Sequence, residues 1–106
     1  DRVNGYTLGD EEPFELALRD GIPLTVWRKF TVTQGSEFDG KNIRFAVTPG
    51  NDQDTYFVYG EDLNTLGSGW GKDGAILTLD AGNYYLVFSP AVDSSGEKVL
   101  TSQIVH

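Results

Sequence analysis

Three oxygen-bearing side chains follow a Pro-Gly turn: Asn51, Asp52 and Asp54. A calcium ion takes six to eight hard oxygen ligands, from several loops and from backbone carbonyls. Asp39 and Asp62, with Glu61 and Asp73, are the further carboxylates that converging loops would add. The order is not that of an EF-hand, because no glycine follows at the required place. The same aspartates have a plain structural use, since Asp caps turns and accepts backbone N–H bonds. Calcium is the one cofactor these residues suggest, and both uses fit the sequence.

Aromatic side chains are the second group able to do chemistry, here recognition. Trp70 stands among Gly67, Ser68, Gly69 and Gly71, a context that regular strand packing does not bury. An indole on a mobile loop can stack on a sugar ring or enter a groove of a protein partner; alternatively it folds back over the open end of the domain. Trp27 alternates with Val26 and so faces away from the core, beside Thr25, Lys29 and Thr31. Tyr56 and Tyr59, like Tyr84 and Tyr85, point opposite ways, which makes Tyr59 and Tyr85 surface candidates.

Catalytic groups are scarce. The lone histidine is His106, the last residue given, and there is no cysteine. Serine and cysteine triads in their usual forms are excluded, as are disulfides and zinc–thiolate sites. The glycine-rich run from Gly67 to Gly74 lacks the Gly-Lys-Ser/Thr ending of a phosphate loop. Two carboxylates would be enough for a glycosidase, but a small sandwich offers no deep cleft to hold and dehydrate a sugar. The expectation is a domain without catalysis of its own.

The elements that must carry these residues are strands. Residues 24–33 place Leu24, Val26, Phe30 and Val32 on one face and Thr25, Trp27, Lys29 and Thr31 on the other. Strict alternation turns Arg28 inward, which calls for a bulge or for a carboxylate at a buried edge. Ile43, Phe45 and Val47 alternate with Arg44 in 42–48, and further β-rich runs cover 55–59, 75–79, 83–89 and 98–105. The segments between them, Gly60–Gly74 included, are rich in Gly, Pro, Asn, Asp and Ser, as turns demand. Residues 10–20 read as a helix capped by Asp10 or as a strand with Phe14, Leu16 and Leu18 inward; period two fits better.

With 106 residues, 39% of them hydrophobic, one domain with a real core is expected, covering 1–106, and residues 1–5 are a possible linker. Thirteen glycines and almost no helical periodicity predict an all-β, antiparallel, jelly-roll-like β-sandwich of about seven or eight strands. The net charge of −8 repels phosphate backbones and anionic membranes, and no apolar run approaches the roughly 18–20 residues of a spanning helix. The absence of methionine, at position 1 as elsewhere, predicts a piece of a longer chain.

Four segments in order resemble the bacterial pre-peptidase C-terminal domain, a module appended to many secreted peptidases. Leu18-Arg19-Asp20-Gly21-Ile22-Pro23-Leu24 is similar to its opening strand, and Lys29-Phe30-Thr31-Val32-Thr33-Gln34-Gly35 to the strand and turn that follow. Asp52-Gln53-Asp54-Thr55-Tyr56, leading to Gly60, and Ala81-Gly82-Asn83-Tyr84-Tyr85-Leu86-Val87 resemble the later pair. Thr33 stands where the family has proline, and the N-terminal acidic segment has no counterpart in the pattern. The resemblance implies an exported bacterial protein, secreted or at the cell surface. It implies an accessory module, monomeric within a multidomain chain, that binds an extracellular protein or polysaccharide or aids secretion. Relatives in clostridial collagenases bind calcium and collagen. Two other functions follow from the same residues: a calcium-stabilised domain of a surface adhesin, and a carbohydrate-binding module acting through its tryptophans.

Overall fold

Alternation along the strands builds the two layers. Phe30, Val32, Tyr56, Val58, Leu86 and Phe88 point inward from one sheet, and Ile43, Phe45, Val47 and Leu100 meet them from the other. All ten are buried. The computed structural model describes residues 3–106. Its strands are β1 (Asn4–Gly5), β2 (Glu12–Glu15), β3 (Leu18–Arg19), β4 (Ile22–Pro23), β5 (Val26–Val32), β6 (Asn42–Thr48), β7 (Thr55–Gly60), β8 (Thr65–Trp70), β9 (Ala75–Thr78), β10 (Gly82–Ser89) and β11 (Glu97–Ile104). A single 3₁₀ turn, Gly71–Asp73, joins β8 to β9.

One sheet has the order β1-β5-β10-β7-β8 and the other β2-β11-β6-β9; β3 and β4 form a separate hairpin. Pairing is antiparallel except between β1 and β5. This is the expected antiparallel sandwich, with eleven strands rather than seven or eight. The excess comes from two-residue pairs such as β1, β3 and β4, too short to leave an alternation in the sequence. Of the segment read as a possible linker, residues 1–2 lie outside the described residues, while Asn4 and Gly5 pair with Arg28 and Lys29.

Two local readings change and a third, left open between two alternatives, is resolved. The stretch Gly60–Gly74, expected as one long connection, contains β8. Its glycines are there for close approach rather than mobility. A Cβ on Gly69 would lie 2.2 Å from the Gly74 carbonyl oxygen, and one on Gly67 would lie 2.8 Å from Leu77 Cδ1, so bare backbone lets β8 settle against β9. Leu18 and Leu24, expected inward, are exposed. The chain leaves the sheet after Leu16 and turns at Asp20–Gly21 into the β3–β4 hairpin, so the period does not carry through. Arg28 does turn inward: its Nε donates to Glu12 Oε2 at 2.7 Å, its guanidinium lies 5.4 Å from the Phe14 ring centre, and Nη1 donates to the Trp27 carbonyl. A carboxylate from the opposite sheet thus neutralises it at the open edge.

The sheets are also pinned by hydroxyls. The Val47 N–H donates to Tyr56 Oη at 2.7 Å across the core. Tyr6 Oη shares a 2.7 Å hydrogen bond with Ser102 Oγ and donates to the Asp10 carbonyl, fastening the N-terminal segment over β11. Burial pushes the Tyr56 phenol up to about 12 and raises Tyr6 as well. Because these folded values exceed the unfolded value, the neutral phenols contribute their full stability below about pH 10. That contribution is lost as pH rises through about 12. Denaturant melts are therefore expected to lose roughly 2–3 kcal/mol between those limits through Tyr56, and Tyr56→Phe should flatten this loss while costing about 1–3 kcal/mol near neutrality for the orphaned Val47 N–H.

Candidate functional site

Cross-strand register decides which side chains share a surface. On the outer face of the five-stranded sheet, Tyr85 stands between Lys29 and Tyr59, and Val87 between Trp27 and Phe57. Ser89 pairs with Thr55, which pairs with Trp70, while Phe57 pairs with Ser68. The four aromatic candidates, Trp27, Tyr59, Tyr85 and Trp70, therefore project from one face. The Trp27 and Tyr59 rings lie 5.9 Å apart, Trp27 and Tyr85 6.2 Å, and Tyr59 and Phe57 6.1 Å. Trp70, at the sheet's far edge, is 74% exposed and has no ring neighbour among the described residues.

This face is unlike the rest of the surface. Acidic residues outnumber basic ones 16 to 8, yet none of the residues in these rows is acidic, and the charge among them is Lys29. Where the face meets the β7–β8 turn, a hollow of about 360 Å3 is lined by Lys29, Thr31, Glu61, Asn83, Tyr84 and Tyr85. Thr31 Oγ1 donates to Asn83 Oδ1 at 2.8 Å. The face thus has an aromatic centre depleted of charge and bordered by polar groups.

The acidic candidates are divided between the two ends of the sandwich. Asp39 and Asp62 lie at one end: Gly40 N–H donates to the Leu79 carbonyl beside Asp39, and Gly60, next to the Asp62 turn, pairs with Tyr84 near the start of β10. Asn51, Asp52 and Asp54 lie at the other, where Gly71 N–H donates to the Asp54 carbonyl. All but the exposed Asp52 have local work. Asp39 Oδ2 accepts from Gly35 N–H, Asn51 Oδ1 from Gln53 N–H, and Asp62 Oδ1 from Asn64 N–H. Asp54, with no exposed surface, accepts from Asn51 N–H at Oδ2 and from Ala91 N–H at Oδ1, both 2.9 Å. Among the described residues no three acidic or histidine side chains are grouped to hold a metal ion, and the five candidates do not form one oxygen cage. At that end the Lys98 ammonium, buried, donates to the Pro49 carbonyl at 2.6 Å. It and Asp54 tie the β6–β7 loop to its neighbours.

No family model matches the sequence, and no curated protein is significantly similar to it. Among solved structures, the chain is similar to the pre-peptidase C-terminal domain of collagenase from Bacillus anthracis, with a TM-score of 0.69 and 21% sequence identity over 97% of this chain and 96% of that one. The chain has the fold of a pre-peptidase C-terminal domain. Its aromatic face is thus the outer surface of the five-stranded sheet of that fold. Phe57 completes this face and was not among the sequence candidates, although its spacing of two from Tyr59 carried the signal.

Proposed function

We propose that this domain is a non-catalytic accessory module of a secreted peptidase, holding the enzyme against a polypeptide substrate through the face of Trp27, Phe57, Tyr59, Tyr85 and Trp70. The observation that carries this reading is the aromatic surface, with no acidic residue in its cross-strand rows, on an otherwise acidic chain with the pre-peptidase C-terminal fold. Clustered aromatics supply most of the energy in protein recognition, because they bury large areas at small entropic cost. A polypeptide is favoured over a glycan by the rings themselves. Trp27, Tyr59 and Tyr85 pack on one another, so stacking on a sugar would fall to Trp70.

The test is retention on immobilised fibrous and denatured proteins, with insoluble polysaccharides run in parallel. Trp27→Ala and Tyr59→Ala are each expected to weaken protein binding by roughly 30-fold, the effect of losing a hot-spot aromatic, with unchanged melting. Retention on polysaccharide that only Trp70→Ala abolishes would replace this reading with the carbohydrate one.

A further inference from the structure

Beyond the edge of the aromatic face, where Trp27 ends it, a groove of about 280 Å3 runs between β5 and the connection from β2 into the hairpin. Phe14, Ala17, Leu24, Val26 and Trp27 supply its apolar lining. The hairpin beside it pairs only within itself and leaves Leu18, Ile22 and Leu24 about half exposed. Trp27 belongs to both surfaces, so the groove continues the face around the sheet edge.

Two features define the occupant. The groove is open at the surface rather than enclosed, which suits a side chain delivered by a larger partner. The Arg28 guanidinium at its floor is already engaged by Glu12 and by the Trp27 carbonyl. The charge at the rim points the other way. Glu15 lines the groove and stands directly opposite Glu97 on β11, and both are exposed. Like charges in facing positions are destabilising, and neither joins an ion pair among the described residues. A cation brought by the ligand relieves that repulsion.

We propose that this groove is a second subsite, taking an apolar side chain that neighbours a lysine or arginine in an extended polypeptide; the proposal rests on the reading of the adjoining face as a polypeptide surface. The experiment is amide NMR of the labelled domain titrated with short glycine–serine peptides carrying a central Leu-Lys, Leu-Glu or Ser-Lys pair. The Leu-Lys peptide is expected to shift Glu15, Ala17, Leu24 and Glu97, with the other two at least about threefold weaker. Glu15→Lys should reverse the preference between Leu-Lys and Leu-Glu, and Leu24→Asp should abolish binding while the melting temperature stays unchanged. Shifts confined to Tyr59, Tyr85 and Trp70 would overturn the groove and leave the face standing. Shifts confined to the groove would overturn the face and with it the groove as a second subsite of that face. Equal binding of all three peptides, or no shifts at all, would overturn the subsite.

Discussion

Replacing Asp54 with alanine is expected to remove about 2–5 kcal/mol of folding stability, from orphaning two backbone donors at about 1–3 kcal/mol each. The two carboxylate oxygens are each held at 2.9 Å by a backbone N–H, one local at Asn51 and one from Ala91, 37 positions away. Alanine leaves both donors without an acceptor where Asp54 has no exposed surface, and it unties the β6–β7 loop from the β10–β11 connection. For a domain near this size, the loss corresponds to a melting point lower by about 10 °C or more. Asp54→Asn keeps one carbonyl acceptor and should fall between the two. Asp52→Ala, on the exposed side of the same loop, should shift melting by only a few degrees. Thermal unfolding of the four proteins checks the order, and an Asp54→Ala domain as stable as the wild type would show that the carboxylate is not the clamp.

Gly74→Ala is expected to be comparably severe. A Cβ there would lie 1.9 Å from the Phe45 carbonyl oxygen, and the residue has φ of +73°. That φ with a ψ of −150° is a backbone region open almost only to glycine and costs a side chain about 1–3 kcal/mol; overpacking against fixed backbone adds roughly 1–3 kcal/mol more. Gly96 separates these contributions. It has φ of +85°, but a Cβ added there would meet nothing within 4 Å, so Gly96→Ala should show the conformational cost by itself. Urea unfolding of both variants should leave Gly96→Ala about 1–2 kcal/mol below wild type and Gly74→Ala at least about twice that. Equal losses would mean that β9 can move away from β6 without penalty.

Much of the fold was legible because the inward positions of β6, β7 and β10 recur at every second residue, as do those of β5 apart from Arg28, and that period needs only neighbours in sequence. The Tyr59 and Tyr85 orientations followed for the same reason. Gathering them with Trp27 and Trp70 depended on strand order, since β10 lies between β5 and β7 and nothing local encodes that neighbourhood. β8 was hidden because its inward positions are glycines, which carry no hydrophobic signal. The two uses open to Asp54 could not be separated from sequence either, because its partner at Ala91 is remote. Arg28 was the informative exception: its inward position announced a partner, and Glu12 supplies it from the other sheet.

The seam where β8 meets β9 has a bearing on how this domain can hold anything. A sheet with a bare edge can recruit a foreign strand through its backbone, and the outcome is tight, slow to reverse and prone to fibre growth. Here one pair of edges is pressed together by Gly67 and Gly69, and the outer edge of β2 is interrupted by Pro13 between Glu12 and Glu15. Capture through the proposed face would rest on side chains of the sheet surface, whose contacts form and part without rebuilding a ladder. Under the proposed function, such a grip would let the module release and re-engage along a polypeptide.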